Sequence, residues 1–415
     1  MKVLWYRHIL IFTVLLLISV QYKVDNAEAL RPLYTIGLIV IGLVNLLMYL
    51  RYSAKYILWP FYLSPGGILL YVTLFYMMFS SILAGERQIK DAIYLIFWIS
   101  TVPLVIMFLS KKKGLSHDLY ILSRAIIIFA TFACIIAYLT IARVIDFEYG
   151  AYALKQNYWT AFRIHGFMGQ PTALGSLIGV ALILLTYIKS TDTNKKHRIV
   201  FIFLFLSILT SGSRNCLVSI LVVFIATSLI KSKMKTLIYY TALSSISLTL
   251  LFISSPYLFS LFDRGDYGIG AENSRIYIWT EVCALISQNT IISLFFGNGS
   301  GALSNTFRAA FNTPLHMLYD YGVIGMSLYL LSFLYSLYIG VERYMNTKHN
   351  YYILGINLLI YGFVFNLFIS SFISPFFSFH VLSFVLGIII VNTKPKNLMV
   401  EKCKIIPANK FSSAS

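Results

Sequence analysis

The stretch DRGDYGIGAENSRIYIWTEVCALISQNTIISLFFGNGSGALSNTFRAAFNTPLHMLYDYGVIG, residues 263–325, decides how this chain is read. It is the one long segment after residue 165 that is neither a clean apolar run nor a short basic loop. A connection of this length without low-complexity composition is uncommon and is usually functional. Asn273 and Ser274 are helix-capping types, so the pattern predicts a helix over 275–288. That helix opens on Arg275 and carries Ile276, Trp279, Cys283 and Ile286 at helical spacing. The rest of the chain reads as the membrane scaffold that carries this stretch.

At 415 residues, 59% hydrophobic and 12% charged, the chain has too little polar surface to cover a soluble globule. The expected fold class is all-α, a polytopic membrane protein. Apolar runs fall at 8–22, 33–50, 66–84, 92–109, 119–142, 172–188, 199–211, 215–230, 236–254, 318–340, 351–369 and 371–392, which predicts about twelve transmembrane helices. The run at 199–211 is the shortest and spans only with its flanking Ser and Gly residues. Cys134, Cys216, Cys283 and Cys403 lie far apart, a pattern of neither a disulfide framework nor a zinc site.

A net charge of +18 would point to nucleic acid in a soluble protein. Here the charges follow the spans. With both termini inside, alternate loops collect Lys111 to Lys113, Lys189 to Arg198, Lys231 to Lys235 and the tail from Lys394, against the acids Asp118, Asp192, Glu342 and Glu401. The opposite side balances to zero, so the positive-inside rule accounts for the whole excess and no nucleic-acid partner is implied. The bases on that opposite side are mostly arginine: Arg31, Arg87, Arg143, Arg163, Arg214, Arg264, Arg275 and Arg308. Arginine meets phosphate with a planar fork, whereas lysine acts as a point charge. Balanced surface salt bridges are the plain alternative for any one of them.

Lys2 and Arg7, followed by a short apolar run and Ala27, Glu28 and Ala29, have the form of a signal peptide. A retained helix is the expectation for so hydrophobic a chain. Two outer loops are large, at 143–171 and 255–317, and residues 393–415 form an inner tail. Between the two loops, Ser211 to Arg214 reads as a tight outer turn that sets Arg214 at the membrane surface.

Four segments, RIHGFMGQPTALGS (163–176), SGSRNCLVSIL (211–221), SRIYIWTEVCALISQNTIISLFFGNGSG (274–301) and NTPLHMLYDYGVIG (312–325), together resemble the O-antigen polymerase and O-antigen ligase superfamily of bacterial envelope glycosyltransferases. The likeness lies in order, spacing and sidedness over roughly the second half of the chain. Ligases of that superfamily carry a His-Asn pair about eleven residues before the glycine that here is Gly322, and this chain has Phe311 followed by Asn312. The resemblance therefore points to the polymerase branch.

What the resemblance implies is a multi-pass protein of the bacterial inner membrane with both large loops periplasmic. It would transfer a glycan from undecaprenyl pyrophosphate to a hydroxyl of the next lipid-linked repeat unit. Its partners would be undecaprenyl-pyrophosphate-linked oligosaccharides and membrane lipid, with a chain-length regulator and a flippase alongside. Such a donor has an activated anomeric carbon, and the chief demand is to stabilise charge on the departing pyrophosphate. Arg163, Arg214 and Arg275 are the expected pyrophosphate-binding residues, and the amides that open helix 275–288 also attract phosphate.

A base for the acceptor hydroxyl is sought among Asp263, Asp266, Glu272, Glu281, Asp320, His165 and His316. His316 and Asp320 lie one turn apart on one helix face and are the expected catalytic pair, with a helix-entry polar contact as the plain alternative. Gly297, Gly299 and Gly301 in FFGNGSG either let backbone amides approach a phosphate or sugar, or form a turn. Tyr149, Tyr152, Tyr158 and Trp159 offer faces for sugar stacking. The sequence has no P-loop, HExxH or closely spaced Asp-x-Asp, so neither a cofactor nor a catalytic metal is expected. The competing readings are the ligase that moves finished polymer to lipid A core and, outside enzymes, a lipid-linked oligosaccharide flippase. Against the flippase stand the absence of an internal repeat and the large arginine-bearing loops.

Overall fold

The computed structural model describes residues 64–83, 115–142, 144, 151–153, 162–164, 168, 171–191, 196–231, 275–307, 310–369 and 379–393. Apart from one short ribbon these residues are helical, in keeping with an all-α class. In chain order the elements are α1 (Pro65–Leu83), α2 (Leu115–Ile141), β1 (Ala151–Ala153), β2 (Phe162–Ile164), α3 (Pro171–Thr191), α4 (Lys196–Ser211) and α5 (Arg214–Ile230). They continue with α6 (Arg275–Ser287), α7 (Ile291–Phe296), α8 (Ala302–Thr306), α9 (Thr313–Thr347), α10 (Asn350–Asn366) and α11 (Phe379–Asn392).

Among the described residues, three helices are long and apolar enough to cross a membrane, over Pro65–Ile82, Leu119–Thr140 and Thr313–Thr347. Four shorter apolar helices, Thr172–Ile188, His197–Ser211, Arg214–Ile230 and Phe379–Asn392, stand beside them. The runs expected at 8–22, 33–50, 92–109 and 236–254 lie outside the described residues, as do most of the outer loops and the inner tail.

A helix that is apolar all round must be buried all round. α10 is that helix: Tyr351 through Gly362 are buried without a break, and α3, α5, α9 and α11 surround it. Its polar groups find partners inside the bundle. Asn357 accepts from Thr227 Oγ1 at 2.6 Å, and the Leu358 carbonyl accepts from Ser383 Oγ at 2.7 Å. Phe333 and Phe363 stack with centroids 3.8 Å apart, fixing α9 against α10. A buried hydrogen bond whose loss would leave a partner unsatisfied is worth about 1–3 kcal/mol, so these contacts set the register of helices that apolar packing alone would let slide.

α9 is broken at Gly322, where φ is +66° and ψ is −172°. The break turns the chain. Below it, Tyr329 OH accepts from Asn366 Nδ2 at the end of α10 (3.3 Å). Above it, Asn312 and Thr313 bond the carbonyls of Leu367 and Ile369, one to three residues past that same asparagine. A straight helix would have carried Thr313 ~24 Å beyond Tyr329 along the axis. The segment from Thr313 to Tyr321 therefore runs across the end of the bundle instead of continuing along it. From Gly322 to Thr347 the helix is still ~38 Å long, enough for the hydrocarbon core on its own.

β1 and β2 pair antiparallel with Tyr152 opposite Arg163, and Ile164 enters the main core with Met168. The predicted turn at Ser211 to Arg214 is present: α4 ends on Ser211, Gly212 takes φ +60°, and α5 starts at Arg214.

Candidate functional site at the end of the bundle

Among the described residues, α3, α5, α6, α9 and α11 begin at the end of the bundle where α10 finishes. Tyr361 of α10 brings two of them together, its hydroxyl lying 3.4 and 3.3 Å from the carbonyls of Gly175 and Ser176 in α3 and 3.5 Å from Cys216 Sγ in α5. The start of α9 is tied to the end of α10 by Asn312 Nδ2, which donates to Leu367 O at 3.0 Å, and by Thr313 Oγ1, which donates to Ile369 O at 2.6 Å. The carbonyl between them, Phe368 O, accepts from Asn215 Nδ2 of α5 at 3.4 Å. Three successive carbonyls at a helix end, which have no partners of their own along the helix, thus collect side chains from α5 and α9.

The start of α6 joins the same node. Arg275 donates through both Nη1 and Nη2 to Asn215 Oδ1, each at 3.4 Å, and its guanidinium lies 5.8 Å from the centre of the Phe368 ring. Asn215 is therefore a bridge: its amide nitrogen holds the end of α10 and its amide oxygen orients the arginine fork. An amide oxygen is a neutral acceptor, so this contact aims Arg275 without cancelling its charge. Arg214, next to Asn215, is half-buried at the first position of α5.

Of the three expected phosphate ligands, Arg275 is brought to Asn215, the residue next to Arg214, although the two arginines are far apart in sequence. Arg163 sits on β2, paired with Tyr152, and its side chain is outside the described residues, as are those of Tyr149, Tyr152, Tyr158 and Trp159. Asn215 and Phe368 were missed in the sequence. The signal for Asn215 was its place beside Arg214 in the SGSRN turn; Phe368 is one more aromatic in an apolar run and offered none.

The N-terminus of a helix carries roughly half a positive charge, and acidic residues normally complement it in the first turn. None of α3, α5, α6 and α9 has an acidic residue there. α5 and α6 instead open on arginine, each such placement costing ~0.3–1 kcal/mol by the same dipole argument. The first turn of α4, which opens on Lys196 with Arg198 behind it, is basic in the same way.

His316 and Asp320 do meet, with Nε2 3.2 Å from Oδ2 and both side chains buried. The carboxylate has two further donors: Gly301 N at 2.7 Å to Oδ2 and Leu303 N at 3.0 Å to Oδ1. Asp320 therefore caps α8 from a different helix. With Nε2 as the donor to Asp320, the neutral imidazole keeps its lone pair on Nδ1, which is buried and has no hydrogen-bond partner among the described residues. Asp320 thus fixes the orientation of the His316 ring.

The glycine loop is turned inward onto α9. Gly297 N donates to Ser293 O at 2.8 Å, Gly299 N to Asp320 O at 2.8 Å, and Gly301 N to the Asp320 carboxylate. In this structure those amides hold the loop to the broken helix. α6 also differs from its expected stripe. Ile276 and Cys283 are exposed, and the buried pair is Ile278 and Val282, packed with Leu303, Ala310 and Tyr319. Trp279 and Ile286 flank that cluster, and Trp279 Nε1 donates to Ala310 O at 3.0 Å. The helix docks on α8 and α9, and that contact, not the overall apolar pattern, chooses its face.

Compared with protein-family models and with curated proteins, the chain matches none.

Proposed function

We propose that this protein is a membrane glycosyltransferase that polymerises lipid-linked repeat units. It would move the growing glycan from a polyprenyl pyrophosphate to a hydroxyl of the next unit. One observation carries the reading: two arginines placed at helix starts, where helix dipoles already repel them, with Arg275 held by Asn215, the residue that follows Arg214. An anion bound there offsets the cost of both placements. In the reaction the anomeric C–O bond to pyrophosphate breaks and a C–O bond to the acceptor oxygen forms. Arg275 and Arg214 stabilise the departing pyrophosphate by charge-assisted hydrogen bonds, each worth ~1.5–3 kcal/mol. His316 Nδ1 takes the acceptor proton, and Asp320 positions the ring.

On this reading the node faces the periplasm, the chain belongs to the bacterial inner membrane, and both termini are cytoplasmic. The chemistry needs no cofactor. The test is to reconstitute the purified protein with lipid-pyrophosphate-linked repeat units as the only sugar substrate. Polymerisation yields a ladder of lipid-linked products. A requirement for lipid A core as acceptor would identify a ligase, and movement of substrate between leaflets without new glycosidic bonds would identify a flippase.

A further inference from the structure

α7 and the segment leading to it have an unusual surface. Ile291 and Ile292 are 77% and 73% exposed, and Phe295 and Phe296 are 49% and 57% exposed, all on a helix outside the main bundle core. No residue between Glu281 and Arg308 carries a charge. Exposed apolar side chains on this scale, with no charged neighbours in the segment, mark an interaction surface.

The position of α7 says what covers that surface. Tyr76 of α1 places its hydroxyl 3.2 Å from Phe296 O and 3.1 Å from Tyr321 O, donating its single proton to the pair. Tyr76 lies inside a membrane-spanning helix, ~10 Å along the axis from its end at Leu83. Its neighbours Phe75 and Phe79 are 52% and 57% exposed, as expected of side chains that face lipid. α7 therefore meets α1 below the helix end, and its exposed apolar residues continue the lipid-facing band of α1.

The backbone is prepared for such a place. Non-helical chain at membrane depth must satisfy its polar groups within the protein. Thr290 Oγ1 accepts from Ser293 N at 3.2 Å, Gly297 N returns to Ser293 O, and Phe296 O has the Tyr76 hydroxyl. We propose that α7 is seated in the bilayer, with Ile291, Ile292, Phe295 and Phe296 among the acyl chains of the leaflet at this end of the bundle. The occupant of the apolar face is lipid hydrocarbon. This inference does not rest on the glycosyltransferase reading.

The test uses the full chain, with Cys283 and Cys403 replaced by serine, in vesicles of phosphatidylethanolamine and phosphatidylglycerol. Nitroxide labels are placed one at a time on Ile292→Cys, Phe295→Cys and Gln288→Cys. The expected result is that labels at 292 and 295 relax more with oxygen than with a water-soluble nickel complex, and that the label at 288 does the reverse. A nickel accessibility at 292 and 295 equal to that at 288 would overturn the proposal. So would dipolar broadening between labels at 292, which would show a second copy of the chain on this face. Unlabelled protein with Trp5, Trp59, Trp98 and Trp159 replaced by phenylalanine supplies a second readout: phospholipids brominated near the glycerol end should quench Trp279 fluorescence more with α7 unchanged than with Ile292→Asp/Phe295→Asp. Equal quenching in the two would contradict a lipid seat.

Discussion

Gly297 and Gly322 lock the glycine loop to the break in α9. A Cβ on Gly297 would strike the Asp320 carbonyl, and a Cβ on Gly322 would strike the Phe295 carbonyl. Both residues have positive φ, at +86° and +66°. Gly299 N and Asn298 N then bond Asp320 O and Tyr319 O, carbonyls that the break at Gly322 helps release from the helix ladder. The loop and the kink are thus one device, and through Asp320 it holds His316.

Gly297→Ala and Gly322→Ala should each lower stability. A backbone with positive φ and ψ near 180° is open almost only to glycine and costs ~1–3 kcal/mol for an L side chain, and the backbone collision adds to it. Because either change breaks the same contact, the double variant should lose little more than the worse single one. Thermal unfolding of the detergent-solubilised protein measures both. Additive losses would mean that the two glycines act separately.

His316 and Asp320 should separate in their effects. Asp320→Ala strands two backbone N–H groups, Gly301 and Leu303, at ~1–3 kcal/mol each, so it should reduce both stability and activity. His316→Ala leaves those amides capped. It should keep most of the stability and lose about a hundredfold or more in rate, the range of general-base catalysis. An unfolding curve and a turnover assay on each variant decide this. Stability falling equally in both, with activity retained in His316→Ala, would leave the pair a structural cap.

Asn215 offers a sharper probe of the arginines than their own removal. Asn215→Asp keeps an acceptor for Arg275 and strengthens its hold through charge, but it places an anion where pyrophosphate is proposed to bind. The change also removes the Nδ2 donor that holds Phe368 O, so the expected outcome is a lower thermal stability together with about a tenfold or greater loss of activity, felt mainly as weaker binding of the lipid-linked donor. Asn215→Ala should lower activity less steeply. If Asn215→Asp is as active as wild type, Arg275 serves packing and not an anion.

The cysteines report the topology. Cys283 is exposed on α6, whereas Cys134 and Cys216 are buried within the bundle. In intact cells carrying Cys403→Ser, a membrane-impermeant thiol reagent should label Cys283 and leave Cys134 and Cys216 unmodified, which Cys283→Ser confirms by removing the signal. Labelling only after the membrane is broken would put the node on the inner side.

Much of this arrangement was legible in the sequence where the contacts are local. The apolar runs gave the helices, Gly212 and Ser213 gave the turn before Arg214, and the spacing of His316 and Asp320 gave their contact. What stayed hidden depends on partners distant in sequence. Nothing near Asn215 tells that Arg275 and Phe368 will reach it, and nothing near Asp320 tells that the α8 amides will. Gly322 serves in the sequence only as a reference position for the resemblance, and its kink is not legible there, because a kink is decided by what docks into it. The stripe on α6 was misplaced for a related reason: Ile276 and Ile278 are chemically alike, and only the position of Leu303 and Tyr319 makes the second the buried one.

The most direct measurement of the central claim is polymer length from lipid-pyrophosphate-linked repeat units, made with purified, reconstituted protein carrying Arg275→Ala, Arg275→Lys or Arg214→Ala. If the arginines hold pyrophosphate, each Ala variant should slow elongation about ten- to a hundredfold, since ~1.4 kcal/mol of lost transition-state binding is tenfold in rate. Arg275→Lys should recover only part, because an ammonium keeps the charge and loses the fork. Wild-type ladders from both Ala variants, at equal protein and substrate, would contradict a role for this node in the transfer.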